Sequence, residues 1–248
     1  MHWRGWLLGL ALAWGSAQAA PARFDYYLLA LSVAPAFCED RPERTRNYAQ
    51  CRQLDEAAFK TLPLTLHGLW PNRFDRHHPA FCGAQSGGAF CRLPAIRLPA
   101  AERARLGRVM PGAADCLDRY QWAKHGSCSG LREDDYFAVA SALTERVNRA
   151  LGAELARSMG REIGLDTLRA ALRKNDPALL DAVTFDCRTP ATPERAKRRP
   201  MLREIRVSFV RNPATGGPGK PLDYRSVGHT HYNSGCPGGR AYVDTPLD

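Results

Sequence analysis

Hydrophobic and polar positions follow distinct periods along this 248-residue chain, and those periods sort it into strands and helices. Residues 24–33 (FDYYLLALSV) are apolar and aromatic without helical spacing, which predicts a buried strand. Residues 63–69 alternate: Leu62, Leu64 and Leu66 fall on one face, and Pro63, Thr65 and His67 on the other. The polar stretch 35–60 reads as a loop with one helical turn. Residues 71–100, rich in Pro, Gly and His, read as a long irregular loop. Helices are predicted over 99–109, 115–125, 134–151 and 165–174. Asp115 is the expected N-cap of the second and Gly126 its end. In the third, Phe137, Ala140, Leu143 (with Thr144) and Val147 keep three-to-four spacing, and Asp166 opens the fourth. Strand character returns over 180–187 and 201–210, on either side of a basic, proline-bounded loop over 188–200. The last forty residues are rich in Gly and Pro, with a short strand near 241–243. Strands and helices mix without regular βαβ alternation, repeat or linker, so the expected fold is α+β in one domain over residues 20–248.

The first nineteen residues interrupt that reading. Arg4, an apolar run over 6–14 and the small-residue ending Ala17-Gln18-Ala19 form the layout of a secretory signal peptide cleaved after Ala19. The run is short for a membrane span, and no later stretch reaches the roughly 20 apolar residues one needs. Eight cysteines follow the cleavage site: Cys38, Cys51, Cys82, Cys91, Cys116, Cys128, Cys187 and Cys236. An even count in an exported chain reads as a disulfide framework. Zinc is disfavoured, because no two of them have Cys-x2-Cys spacing. The formal charge of +10 loses only Arg4 with the leader. Such a surface reads equally as a match for a polyanion (nucleic acid, an anionic membrane face or a polysaccharide) or as charge that serves solubility alone.

Two segments concentrate the candidate chemistry: LTLHGLWP over 64–71 and YQWAKHGSC over 120–128. On the predicted helix, Tyr120, Gln121, Lys124 and His125 fall along one stripe, with Trp122 turned away from it. His67 stands on the strand face opposite Leu64 and Leu66, and Gly68 would let a ligand approach the backbone. Two imidazoles and an ammonium match the needs of RNA cleavage by its own 2′-hydroxyl. One imidazole takes the hydroxyl proton, the other protonates the departing 5′-oxygen, and Lys124 meets the charge on phosphorus. Taken alone, a strand histidine is more often structural than catalytic. The pairs His77-His78 and His229-x-His231 lack nearby carboxylates at ligand spacing and read as loop histidines. The cluster RTPATPERAKRR over 188–199 reads equally as an RNA-following surface or a solvated loop.

The two segments resemble the paired active-site signatures of the ribonuclease T2 family, in order and separation. The first matches as LTLHGLWP and the second as W-x-K-H-G-S-C, where the family usually has Thr before Cys. The opening strand FDYYLLALSVAPAFC fits as well, and the resemblance is closest to the bacterial periplasmic ribonuclease I branch. It implies a central antiparallel β-sheet packed with several α-helices and stabilised by disulfides. It implies an exported endoribonuclease, periplasmic or secreted, that cuts single-stranded RNA through 2′,3′-cyclic phosphates with low base specificity. No cofactor, metal or membrane is expected, and the expected state is a monomer with RNA as its substrate.

Position by position, the resemblance makes His125 the general base, His67 the general acid and Lys124 the transition-state cation. Trp70 would hold the nucleotide, Tyr120 would donate to phosphate, and Asn72 falls at a base-contacting position. Gln121 stands where many members have glutamate, implying an altered rate or pH optimum. The other reading it leaves is a catalytically impaired relative that binds RNA or protein. The resemblance also pairs Cys187 with Cys236, and Cys128 with Cys82 or Cys91. It leaves Cys38, Cys51 and Cys116 without partners assigned.

Overall fold

The computed structural model describes residues 22–40, 47–189 and 200–246. The expected leader over 1–19 and most of the basic loop, residues 190–199, lie outside the described residues. In chain order the elements are β1 (Tyr26–Val33), α1 (Ala34–Asp40), α2 (Ala49–Arg52), α3 (Glu56–Thr61), β2 (Leu64–Asn72), α4 (Ala100–Val109), α5 (Leu117–Lys124) and α6 (Glu133–Arg157). Then come β3 (Arg161–Gly164), α7 (Leu165–Asn175), β4 (Val183–Arg188), β5 (Met201–Arg211), β6 (Pro218–Pro221), β7 (Asn233–Ser234) and β8 (Arg240–Val243).

The fold is α+β, as its residue pattern predicts. Strands run in the order β2-β1-β5-β4-β7, and the first four pair antiparallel. The sheet is mixed at its margins, because β7 lies parallel to β4 and β8 parallel to β5. Period-two alternation gives each central strand two characters. Tyr27, Leu29, Leu31 and Val33 of β1 face the core with Ile205, Val207 and Phe209 of β5, and all are buried. The other face carries Tyr26, Leu28, Ala30 and Ser32 from β1, Gly68 and Trp70 from β2, and Glu204, Arg206 and Ser208 from β5. The sheet thus has one apolar face and one face able to carry polar chemistry.

α6 covers the apolar face. Its acidic first turn, Glu133, Asp134 and Asp135, complements the helix dipole. Its buried stripe runs beyond Leu151 to Leu155, so the helix is longer than the predicted 134–151. Each fully buried Phe, Val or Leu side chain of that stripe contributes about 1.5–3 kcal/mol. α6 also closes the outer edge of β2. Asn148 accepts the Leu64 N–H at 3.1 Å and donates to the Leu64 carbonyl at 2.8 Å, while the Tyr136 hydroxyl donates to the Leu69 carbonyl at 2.5 Å.

Several expectations are corrected. The described residues of the stretch 35–60 form the short helices α1, α2 and α3 rather than one turn; the Cys38–Cys51 bridge ties α1 to α2, and the Asp55 carboxylate caps α3 by accepting the Ala58 N–H. β2 runs on through Pro71, which an edge strand tolerates. β4 starts at Val183, because Pro177 opens a 3-10 turn just before it. Asp115 does not cap the second predicted helix. α5 starts at Leu117 behind Cys116, which adopts the left-handed conformation at φ 63, and the Asp115 carboxylate instead accepts the Ala49 N–H at 2.6 Å. The other bridges are Cys82–Cys128, Cys91–Cys116 and Cys187–Cys236, so Cys128 takes Cys82 of its two candidates.

Candidate functional site: two histidines on one indole

His67 occupies a break in the sheet. Ala30 pairs with Gly68 and Leu31 with Leu66, so His67 is the extra residue of a β-bulge in β2. A bulge releases its residue from the ladder and re-aims the side chain. The His67 ring reaches across β1, where the polar face carries only the small side chains of Ala30 and Ser32. Its Nδ1 meets the Glu204 Oε1 on β5 at 2.8 Å. Glu204 Oε2 accepts from Arg206 Nε at 2.5 Å, and the same guanidinium lies 3.5 Å from Asp186. Burial pushes the Glu204 carboxyl up, but the hydrogen bond and charge of His67, with the charge of Arg206, hold it below the usual carboxylate range.

The second histidine ends α5. His125 is the C-cap at φ −121 and ψ −49, so it stands just past the last residue of the helix rather than within it. Gly126 follows because the Trp122 ring lies where a Cβ would sit, 2.2 Å away. The turn is fastened from outside by the Cys82–Cys128 bridge and by the Phe81 N–H donating to the Lys124 carbonyl at 2.9 Å. The His125 Nδ1 is buried without a hydrogen-bond partner among the described residues. Burial, then the charges of Lys124, His67 and His78, push its pKa down to about 3.

Trp70 joins the two. Its ring meets His67 edge-on at 5.1 Å and 85°, and stacks on His125 at 5.3 Å and 28°. Its indole N–H donates to the Gln121 Oε1 at 2.9 Å. This contact corrects the reading of Gly68. A Cβ there would lie 2.2 Å from Gln121 Oε1 and 2.4 Å from Trp70 Nε1, so what approaches the backbone is the protein's own hydrogen bond. Gln121 is buried, with its amide oxygen turned to Trp70. Tyr120 stacks on Phe90 at 4.2 Å, and Lys124 Nζ lies 5.5 Å from the Tyr120 ring centre.

A cleft of about 460 Å³ opens beside His67, with Ser32, Tyr48, Leu117, Tyr120, Gln121 and Glu204 among its walls. Asn72 lies apart from it, buried and donating to the Tyr26 hydroxyl at 3.3 Å. His77 is exposed 3.7 Å from Asp75, and His78 Nδ1 accepts the Arg73 N–H at 3.0 Å. Among the described residues, no three His, Cys, Asp or Glu side chains gather as a metal site would. Nor is any described helix long and apolar enough to cross a membrane. Glu204 went unread in the sequence. Its signal was the alternation of Glu204, Arg206 and Ser208 with Ile205, Val207 and Phe209, which marks a polar face on a central strand.

Comparisons with known proteins point one way. The profile described as the Ribonuclease T2 family matches residues 24–215. The chain is 34% identical over 175 residues to Ribonuclease I of Escherichia coli (strain K12), covering 61% of this chain and 65% of that protein. It is 33% identical over 145 residues to a ribonuclease of Aeromonas hydrophila, covering 56% of each. The chain therefore spans less than two thirds of the length of these curated relatives. Ribonuclease MC1 from the seeds of bitter gourd superposes with a TM-score of 0.59 at 17% identity, covering 88% of this chain and 100% of that one, which is a likeness of fold.

Proposed function

Because the chain belongs to the ribonuclease T2 family, we propose that it is an endoribonuclease that cuts single-stranded RNA by metal-independent transphosphorylation. The observation that carries this reading is the pair of imidazoles on Trp70, one of them kept neutral by burial. A neutral imidazole is the form a general base needs. With Nδ1 of His125 closed off, Nε2 is the nitrogen left to take the 2′-hydroxyl proton. The 2′-oxygen then bonds to phosphorus, the bond from phosphorus to the 5′-oxygen breaks, and His67 gives that oxygen a proton. The products are a 2′,3′-cyclic phosphate and a free 5′-hydroxyl. Lys124 meets the charge that builds on the non-bridging oxygens.

Tyr120 serves the same phosphate through its hydroxyl. Gln121 works indirectly, by fixing Trp70, and Trp70 spaces the two imidazoles as well as offering a ring edge to the nucleotide. Aromatic walls such as Tyr48 and Tyr120 stack on any base, which favours low base specificity. Two imidazoles and an ammonium complete the proton and charge requirements, so no metal or cofactor is called for. The reading extends to a monomeric protein exported by the leader over 1–19 to the periplasm or medium, where an oxidising environment keeps four bridges closed.

The test is incubation of the purified protein with a single-stranded oligoribonucleotide in EDTA. Fragments ending in 2′,3′-cyclic phosphate are expected, with DNA of the same sequence left intact and His67→Ala and His125→Ala inactive. Loss of cleavage in EDTA, or persistent cleavage by both variants, overturns the reading.

A further inference from the structure

The bulge that re-aims His67 also removes the restraint a regular ladder would place on it, so something else must hold the ring. The sheet supplies one group in position. Glu204 pairs across β5 and β1 with Ser32, and across β5 and β4 with Asp186. Only 9% of its side chain is exposed. Its two oxygens are divided: Oε1 takes the His67 Nδ1 contact at 2.8 Å and Oε2 takes Arg206 Nε at 2.5 Å. A carboxylate fastened at one oxygen by a guanidinium has little freedom at the other. Arg206 is itself held between Glu204 and Asp186, at 3.5 Å from the latter. The passage from β2 to β5 is open because β1 presents Ala30 and Ser32 there, opposite Arg206 and Glu204.

We propose that Glu204, steadied by Arg206, is a positioning residue for His67, holding its Nδ1–H so that Nε2 is the nitrogen that protonates the departing 5′-oxygen. This rests on the ribonuclease reading above, with His67 as the acid. In the step itself, the P–O5′ bond breaks as the 2′-oxygen bonds to phosphorus, and the Nε2 proton passes to the 5′-oxygen. His67 is left as the neutral tautomer with its remaining proton on Nδ1, the tautomer that Glu204 accepts from. The carboxylate keeps its own charge throughout, and Arg206 balances it. Misplacing a catalytic group by about 1 Å costs on the order of 100-fold, so a loosened His67 should show in kcat rather than in KM.

The experiment compares two single-site RNA substrates, one with the ordinary 5′-oxygen leaving group and one with a 5′-bridging sulfur. A thiolate leaves without help from an acid. Glu204→Gln is expected to lower kcat on the oxygen substrate by about 10- to 100-fold, with KM within about twofold, and to cut the sulfur substrate at close to the wild-type rate. Glu204→Asp should recover part of the loss. An equal loss on both substrates, or none on the oxygen substrate, overturns the proposal. His67→Ala is run beside it. If that variant is rescued by sulfur and Glu204→Gln is not, the positioning role fails while the acid assignment stands. If sulfur does not rescue His67→Ala, the acid assignment fails, and with it the role built on it. The wild-type protein gives a readout that needs no variant to fold: long-range ¹H–¹⁵N spectra at alkaline pH should show neutral His67 protonated on Nδ1. Protonation on Nε2 contradicts the proposal.

Discussion

Trp70 donates its indole N–H to the Gln121 Oε1 at 2.9 Å, through the space that a side chain at position 68 would fill. One hydrogen bond between β2 and α5 therefore sets where the indole lies, and the indole separates the two histidines. The first prediction follows from the close approach. Gly68→Ala places a methyl 2.2 Å from the Gln121 oxygen and should push the pair apart. Overpacking of this kind costs about 1–3 kcal/mol. Thermal denaturation should show that loss, and steady-state assays a larger fall in kcat than in KM.

Replacing Gln121 by glutamate keeps an acceptor for the indole N–H but adds a negative charge one turn before His125. A nearby negative charge favours the imidazolium and so raises the pKa of His125 from about 3. The acid limb of kcat/KM against pH should move to higher pH in Gln121→Glu. An unchanged profile contradicts the arrangement. Gln121→Leu, by contrast, leaves a donor unpaired and should cost about 1–3 kcal/mol of stability.

Burial of His125 has two consequences of the same sign. As base it must be neutral, and it is neutral above its folded pKa of about 3, so cleavage should persist at pH 4–5 and fail only as pH falls further. In the unfolded chain the same ring titrates near 6.5. Because the folded value is depressed, its contribution to stability is present above about 6.5 and is lost as pH falls from there toward about 3. Denaturant midpoints measured from pH 7.5 to 4 should decline in the wild type and decline less in His125→Asn.

The Cys82–Cys128 bridge ties the loop after β2 to the turn that carries His125, closing a separation of 46 residues. Removing a native bridge typically costs about 2–5 kcal/mol. Replacing both cysteines by Ala should cost activity beyond what the stability loss explains, when assayed well below the new Tm. Removing Cys38–Cys51, which lies in the short helices after β1, should lower Tm with less effect on kcat.

What the sequence disclosed was what depends on local pattern. The apolar runs of β1 and β2 and the spacing of Phe137, Ala140 and Val147 in α6 were plain because burial imposes period two or 3.6 wherever it occurs. The two histidines stood out through their surrounding segments. What escaped was decided across the chain. Asp115 looks like a cap beside its own helix, yet its carboxylate goes to Ala49, 66 residues away. The bulge at His67 depends on how β1 and β2 register, and the Glu204 contact crosses 137 residues and an intervening strand. The alternation in β5 shows that Glu204 faces away from the core, but not which side chain reaches it.

The claim beneath all of this is that the RNA supplies its own nucleophile between His125 and His67. The direct measurement uses an oligoribonucleotide with one 2′-deoxy position, digested in EDTA and read by mass. Cleavage is expected at the surrounding bonds, each leaving a 2′,3′-cyclic phosphate, and none on the 3′ side of the deoxy residue. Cleavage at that bond would contradict it.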